Sequence, residues 1–407
     1  MAMTSHYALA FVGQNANGIL SWLTDTLAER AKLFDITLIK IDLLENNWPT
    51  KLNEALSKGQ PLFCFGYQGF GMGLKLDSGN LWNKLKVPFI SLMGDAPFYS
   101  PKLHSTVGPG FFHVYASEDF QNVYHEFMQG QNFSVVYKGF YPPNPYAEQI
   151  SWQDRDLEIV YVKTGVDPRQ LLRGWDIFPA KLRAAVEDAA KSALSGQTKT
   201  IAQLVAHACR DHNIDFGARK ELFLRMCSEV DKYVRAVRAE RMLREVMRHG
   251  GHIFGDWPHI EKANTRARFH GTVSAEKLYE VYGRSKMLVN VSPCTLKYVH
   301  ERIVAAFLAK CFSISDATPF MHEALAAYSN FKSVDIDSVE LSLQMDLRIS
   351  EARYSASNLG PELSSMLEES KQRAEEEFGV DRFLNEILNL VATYRLEQES
   401  SFWSSDR

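Results

Sequence analysis

The sequence predicts an α/β protein built from two Rossmann-like domains, the second of which carries a helical insertion. Short β-rich runs alternate with helical stretches over the first 150 residues, which is the pattern of a parallel, doubly wound sheet. Several of these runs are continuously apolar, as expected when helices cover both faces of the sheet. A proline-rich break, Tyr141-Pro142-Pro143-Asn144-Pro145, separates this region from a second one in which the alternation resumes.

The first domain is expected over residues 1–145. Its predicted strands are Tyr7–Gly13, Asp35–Leu43, Leu62–Gly66, Val87–Met93, Phe112–Ala116 and Ser134–Tyr137. Helices are expected between them at Ile19–Lys32, Trp48–Ser57 and Asp119–Met128.

The second domain is expected over residues 153–385, and a C-terminal helix or tail over 386–407. Its predicted strands are Leu157–Val162, His252–Phe254, Ala267–Phe269, Met287–Val291 and Cys311–Ser315. Nearly everything from Pro168 to Met247 is helical in character, rich in Ala, Leu, Glu, Lys and Arg. We therefore expect a helical insertion at about 168–230, between two strands of one sheet.

Composition excludes several classes of protein. The 407 residues are 45% apolar and 23% charged, which excludes general disorder. The net charge of −4 shows no basic excess, so nucleic acid is not an expected partner. Five cysteines are widely spaced without a CxxC motif, which favours a reduced, cytoplasmic protein. No apolar run approaches the roughly 18 residues of a membrane span, so no integral membrane segment is expected.

Ligands of open α/β sheets bind at the carboxyl ends of the strands, so the loops there are the first candidate sites. In the first domain these are Gly13–Gly18, which does not match GxGxxG, the glycine-rich loop Gly66–Gly73, and Gly94-Asp95-Ala96-Pro97-Phe98. The glycine-rich loop is either closely applied to a ligand or a mobile surface turn. Asp95 is either a site carboxylate or part of an Asx turn or helix cap.

The most specific block runs from Gly250 to Phe320. In it, Ser292-Pro293-Cys294-Thr295 and then His300-Glu301-Arg302 lead into the predicted helix Ile303–Ala309. A helix N-terminus offers free N–H donors and a positive dipole that suit a phosphate. His300 and Arg302 add cationic or hydrogen-bonding groups, and arginine matches phosphate geometry well. Glu301 could accept hydrogen bonds from ribose hydroxyls. The alternative is a capped, charged helix start.

The order of motifs in this block resembles the C-terminal domain of GT-B glycosyltransferases. The resemblance is closest to the bacterial group that includes the spore-maturation CgeB-like proteins, and extends to the group 1-like glycosyl transferases. The motifs are Gly255-x-Trp257, Phe269-His270-Gly271-Thr272-Val273, Leu278-Tyr279-x-x-Tyr282-x-x-Ser285-Lys286, Val289-Asn290-Val291-Ser292-Pro293, His300-Glu301-Arg302 and Ser315-Asp316-x-x-Pro319-Phe320. It covers about 235–325 most clearly, and the helical stretch 168–230 has no counterpart in it.

The resemblance implies a glycosyltransferase that moves a hexosyl or related group from a nucleotide-diphosphate sugar. It implies no cofactor beyond that donor, and we expect no metal. Donor-binding residues would be Gly271, Thr272 and Val273 beside the nucleobase, Ser292, Tyr298, His300 and Arg302 around the pyrophosphate, and Glu301 near the ribose. One departure is that Ala305 and Lys310 stand where many GT-B enzymes have a glutamate and, five residues on, a glycine.

The first domain would then hold the acceptor, with the reaction in the interdomain cleft. An inverting transfer needs a general base on the acceptor side. Asp95 is the first candidate for this catalytic residue and Glu118 the second, whereas a retaining transfer can rely on the donor phosphate. Acceptor-binding residues would be Gln14, Asn15, Tyr67 and Gln68. The last helix of GT-B proteins often crosses back onto the first domain, which would involve Phe383–Leu396.

Other interpretations remain open. On the same fold the chain could be a nucleotide-sugar epimerase or hydrolase, or a non-catalytic partner or scaffold protein. The acceptor could be a protein, a glycan or a small molecule. Arginines recur every three residues at Arg235, Arg238, Arg241 and Arg244; we expect a solvated helix face there rather than an anion-binding stripe.

Overall fold

The computed structural model describes residues 6–13, 18–196, 198–217, 219–358 and 360–404. The chain divides into two compact units. The first comprises Met1–Pro142 with Glu377–Arg407, and the second comprises Pro143–Glu376.

The first unit is built on a six-stranded, fully parallel sheet with strand order β2-β1-β3-β6-β7-β8. Its strands are β1 His6–Val12, β2 Ile36–Asp42, β3 Cys64–Tyr67, β6 Phe89–Met93, β7 Phe111–Tyr115 and β8 Phe133–Val136, and β4 Lys75–Leu76 pairs with β5 Gly79–Asn80 in a small hairpin. The helices are α1 Ile19–Ala31, α2 Trp48–Leu56, α3 Leu81–Leu85, α4 Pro101–His104 and α5 Glu118–Asn122. β2 and β3 lie on opposite sides of β1, so the chain order reverses between β1 and β3. Such a reversal opens a crevice at the carboxyl ends of these two strands.

Both faces of this sheet are covered, as the continuously apolar strands predict. Ala8 and Ala10 belong to one buried cluster, whereas Leu9 and Phe11, which alternate with them along β1, belong to another. Alternate residues of a strand point to opposite faces, so the two clusters lie on opposite sides of the sheet.

The C-terminal helix α15, Val380–Ser404, packs into the first of these clusters. Phe383 contacts Phe65 edge-on at a centroid distance of 6.1 Å, and Tyr394 contacts Phe112 at 5.7 Å. The last helix therefore returns to the N-terminal unit. This also groups residues 377–385 with the first unit, whereas the sequence analysis places them at the end of the second domain.

The second unit has another six-stranded parallel sheet, with strand order β11-β10-β9-β12-β13-β14. Counted from its own first strand, this is the 3-2-1-4-5-6 order of the Rossmann fold. Its strands are β9 Leu157–Val162, β10 His252–Phe254, β11 Arg268–Gly271, β12 Ser285–Asn290, β13 Phe312–Asp316 and β14 Phe331–Val334. The later helices are α10 Ala275–Gly283, α11 Glu301–Leu308, α12 Pro319–Ala324, α13 Leu341–Asn358 and α14 Pro361–Phe378.

The predicted helical insertion lies between β9 and β10. It consists of α6 Pro168–Gly174, α7 Ala180–Ala193, α8 Ile201–Asp211 and α9 Lys220–Arg248. The second half of α9 packs on the sheet through Ala239, Met242, Leu243 and Val246. The fold is therefore α/β with two Rossmann-like domains and a helical insertion in the second, as predicted.

Candidate functional site

The carboxyl ends of β9 and β12 form the switch point of the second sheet, because the chain order reverses between these neighbouring strands. Lys163 directly follows β9, the loop containing Ser292 follows β12, and β13 ends at Asp316. The helix α11 begins beyond the β12 loop, at Glu301.

His300 is the N-cap of α11. Its Nδ1 accepts the backbone N–H of Arg302 at 3.3 Å, which satisfies one of the free donors of the helix end. The side chain is buried, and burial lowers the pKa of His300 to about 3. His300 is therefore neutral near pH 7. Of the two roles expected from the sequence, the buried N-cap position favours the hydrogen-bonding one.

Charged side chains of both signs gather around Lys163 at this switch point: Arg302, Glu301 and, from α9, Arg235 and Asp231. Arg235 pairs with Asp231 at 3.5 Å. Arg302 Nη1 lies 3.5 Å from Asn290 Oδ1 at the end of β12. Desolvation, followed by the positive charges of Arg302 and Arg235, lowers the pKa of Lys163 to about 7. Burial is the first cause of this lower pKa, the two guanidinium groups add to it, and the carboxylates of Glu301 and Asp231 act in the opposite direction.

Glu301 adds a carboxylate at the same place. Its side chain is 49% exposed, and Tyr298 donates its hydroxyl to Oε2 at 3.4 Å. Desolvation raises its pKa, but the positive charges of Arg302 and Lys163 outweigh this effect and lower the pKa. The carboxylate is therefore ionised at neutral pH and can accept hydrogen bonds.

Ser292 has a structural position beneath these groups. Its backbone N–H donates to Asp316 Oδ1 at 2.7 Å, and Asp316 also accepts from Ser315 at 3.1 Å. Asn290 Nδ2 donates to the Ser315 hydroxyl at 2.9 Å. The Ser292 side chain is buried within this network, which ties the ends of β12 and β13 together.

The predicted nucleobase segment Gly271-Thr272-Val273 lies at the end of β11. Gly255 N–H donates to Gly271 O at 2.7 Å, and Thr272 donates its hydroxyl to Asp256 Oδ2 at 2.7 Å. Gly255 has φ +125°, and a Cβ there would lie 2.3 Å from Lys163 O, so only glycine fits. Val273 packs partly buried against the sheet. The loops after β9, β10 and β11 are thus held together at one edge.

In the first unit the structure brings two predicted residues together. Gln68 follows β3 and Asp95 follows the neighbouring β6, and Gln68 Nε2 donates to Asp95 Oδ2 at 3.0 Å. Asp95 is exposed. Glu118 is the first residue of α5, after the N-cap Ser117, and follows the next strand, β7.

The glycine-rich loop is packed against the end of this sheet. A Cβ on Gly66 would lie 2.3 Å from Phe70 O, and one on Gly71, whose φ is +83°, would lie 2.4 Å from the Phe11 ring. Trp82 Nε1 holds the loop by donating to Gly71 O at 2.7 Å. The glycines therefore serve close packing, which argues against a mobile surface turn.

One of the predicted acceptor residues does not line this edge in the structure. Tyr67 is buried in the apolar cluster, edge-on to Phe65 at 5.1 Å, so its ring is not presented to a ligand. The sequence pattern did not reveal this because Tyr67 ends an apolar strand, where either face is possible. Gln14 and Asn15 lie outside the described residues.

The sequence analysis missed Lys163 and Arg235. Lys163 stands directly after a predicted strand, so the rule applied to the other loops could have found it. Arg235 lies in the arginine stripe, for which the prediction of a solvated face is wrong in part. Arg238 is buried and shares the carboxylate of Asp337 with Arg241, whose Nη1 lies 2.8 Å from Oδ1.

Among the described residues, no three His, Cys, Asp or Glu side chains are grouped so that they could hold a metal ion. In the same part of the chain, none of the helices is both long and apolar enough to cross a membrane.

The chain matches known proteins in structure but not in sequence-based comparisons. No protein-family model and no curated protein matches the chain. Matching solved structures include a glycosyltransferase from Rickettsia africae, with 12% identity over 96% of this chain and 99% of that one, and a TM-score of 0.48. The T4 phage protein BGT in complex with UDP-glucose matches with 9% identity over 93% and 98%, also at 0.48. An Anabaena protein in complex with UDP and glucose matches with 9% identity over 95% and 100%, at 0.42. Values this low do not assign an activity, and the fold rests on the strand orders above.

Proposed function

We propose that the chain is a GT-B glycosyltransferase of the CgeB-like kind, which binds a nucleotide-diphosphate sugar at the switch point of its second sheet. One observation carries the proposal: three basic side chains, Lys163, Arg302 and Arg235, gather with two carboxylates, Glu301 and Asp231, at the switch point, where α11 begins. A sheet of this order binds ligands at that place, and a diphosphate would supply an anionic partner for Arg302 and Lys163, whereas Arg235 already pairs with Asp231 at 3.5 Å.

The remaining donor contacts follow from the loops around the diphosphate. The backbone at Gly271–Val273 would receive the nucleobase, and ionised Glu301, oriented by Tyr298, would accept from the ribose hydroxyls. Ser292 and His300 would shape the site from beneath, since both are buried and hydrogen-bonded to the protein.

We propose that transfer needs neither a divalent metal nor a further cofactor. The leaving diphosphate gains negative charge as the glycosidic bond breaks. Fixed cations and helix N–H groups can stabilise that charge in place of a metal ion. Arg302 and the α11 N-terminus supply them here.

The acceptor is assigned to the first unit, where Asp95 is the proposed base of an inverting transfer. It is an exposed carboxylate oriented by the Gln68 amide at the end of β6. Glu118 remains the second candidate. The proposed location is the cytoplasm, which is consistent with five free cysteines, all buried.

Product analysis tests the activity. The protein is incubated with UDP-, GDP- and dTDP-sugars, first alone and then with candidate acceptors, and the sugar products are identified by mass spectrometry. A transferase consumes donor only when an acceptor is present. Consumption of the donor without an acceptor would indicate an epimerase or hydrolase instead. If no donor is consumed under any condition, a non-catalytic protein is favoured.

A further inference from the structure

A cavity lies in the C-terminal unit, and its lining includes none of the residues described at the switch point. Parallel strands are usually joined through a crossover helix, but the segment between β10 and β11, residues 255–267, contains none. A cavity of about 760 Å³ is lined by part of this segment, by the second half of α9 and by the start of α6.

Three arginines line the cavity: Arg169, Arg241 and Arg244. Arg169 pairs with Asp167 at 2.9 Å, and Arg244 pairs with Glu240. Arg241 shares the carboxylate of Asp337 with Arg238. The side chains of Arg169 and Arg244 are largely exposed. Their guanidinium groups therefore remain open to a ligand.

A buried histidine also lines the cavity. The His259 side chain is only 8% exposed, yet neither ring nitrogen makes a hydrogen bond within the protein. Its nearest charged neighbour is Glu240, whose Oε2 lies 3.5 Å from Nε2, beyond good hydrogen-bonding distance. A buried polar group without a hydrogen bond is costly, and a ligand in the cavity could provide the partner.

The rest of the lining combines apolar side chains with the polar side chains of Glu240, Glu261 and Asn264. Val237, Met247 and Ile260 contribute apolar surface to the same cavity. A volume of this size exceeds what an inorganic ion needs and is typical of small-molecule sites. Arginine forks match phosphate oxygens in geometry and charge.

We propose that this cavity binds a small phosphate monoester, with Arg169, Arg241 and Arg244 around the phosphate and His259 as a hydrogen-bonding partner. None of the proposed donor-site residues lines this cavity. The inference is therefore independent of the proposed glycosyl transfer.

Isothermal titration of the full chain with glucose 6-phosphate, glycerol 3-phosphate and inorganic phosphate tests it, with glucose as the uncharged comparison. We expect saturable binding of at least one monoester. Its affinity should fall at least about tenfold in Arg169→Gln and Arg244→Gln, the scale of a lost charge-assisted hydrogen bond. Both side chains are exposed, so these variants should fold. His259→Leu should weaken binding as well.

Two variants serve as controls. Arg248→Gln lies on the same helix but outside the cavity, where it pairs with Asp346 at 2.8 Å. Arg302→Ala alters the proposed donor site. Neither should change monoester affinity. The proposal is overturned if no monoester binds, if glucose binds as tightly, if the Arg169 and Arg244 variants bind like wild type, or if Arg302→Ala abolishes binding.

Discussion

Lys163 couples the charge of the switch point to pH. Its pKa of about 7 in the folded protein is depressed from an ordinary value of 10.5. Between these values the unfolded chain binds a proton that the folded chain does not, so stability rises with pH across this window and is lost as pH falls toward 7. An anion bound beside Lys163 would raise the lysine pKa toward its ordinary value, and the lysine would then take up a proton.

We therefore expect UDP binding at pH 8.5 to be accompanied by uptake of about one proton in the wild type. Lys163→Met should reduce this uptake to near zero. Calorimetry in two buffers of different ionisation enthalpy measures the uptake. Lys262→Met, which removes an exposed lysine stacked over Phe269, is the matched control and should behave like wild type. Equal uptake in wild type and Lys163→Met would exclude Lys163 as the coupled group.

We expect His300 to contribute more to the stability of the protein than to the positive charge at the switch point. Replacing an N-cap by alanine typically costs about 0.5–2 kcal/mol, whereas asparagine is itself a good N-cap. His300→Ala should therefore lower the free energy of unfolding by about 1 kcal/mol, and His300→Asn should retain most of it. Urea unfolding and UDP titration measure both effects. A tenfold loss of UDP affinity in His300→Asn would show that the imidazole itself contacts the ligand.

Asp95 gives a test of the acceptor side. Asp95→Asn keeps the shape and removes the proton acceptor, so an inverting enzyme should lose about 10²–10⁴-fold in kcat. Asp77→Asn, at an exposed carboxylate of the same unit, should leave kcat unchanged. Wild-type turnover in Asp95→Asn would eliminate Asp95, and NMR of the anomeric configuration of the product shows whether a base is required at all.

At the scale of elements, α15 stabilises the first unit through its buried face. Phe383 is fully buried against Phe65 and Phe140. Phe383→Ala should destabilise this unit by about 3–5 kcal/mol. Leu396→Ala, at an exposed position of the same helix, should change stability by less than about 0.5 kcal/mol. Hydrogen exchange of β1 and β3 amides measures both, and equal protection in the two variants would contradict the packing described.

The elements that the sequence predicts well are those whose own residues determine them. β1 and β9 are continuous apolar runs, and the helices of the insertion consist of strong helix formers. The strand β14, Phe331–Val334, was not predicted, because its Lys332 and Ser333 interrupt the apolar pattern at the edge of the sheet. Edge positions bury less surface and leave a weaker pattern.

The candidate site was predictable where its residues follow strands or begin a helix. Asp95 and Gln68 follow strands and Arg302 lies in the first turn of α11, but the contact between Gln68 and Asp95 could not be inferred from local sequence. The arginines of α9 show the limit most clearly. Their spacing is that of a solvated face, and the carboxylate that buries Arg238 belongs to Asp337, about a hundred residues later in the chain.

At the scale of the whole molecule, two sheets of related architecture have different strand orders and correspondingly different sites. The second sheet gathers Lys163, Arg302 and Arg235 at its switch point, whereas the first presents Asp95 and Gln68 at its carboxyl edge. This division fits the proposed inverting transfer of a sugar from a diphosphate donor to a hydroxyl acceptor. The basic side chains would stabilise the leaving group, and the carboxylate would receive the acceptor proton.

Titration of UDP, GDP and dTDP into the wild type and Arg302→Ala, in the presence of EDTA, tests the central claim most directly. We predict that at least one nucleoside diphosphate binds without a divalent cation. Arg302→Ala should weaken that binding by about 1.5–3 kcal/mol, roughly 10- to 150-fold, while leaving the weak affinity for the corresponding nucleoside unchanged. The account is contradicted if no diphosphate binds, if binding requires Mg²⁺ or Mn²⁺, or if Arg302→Ala binds the diphosphate as tightly as wild type.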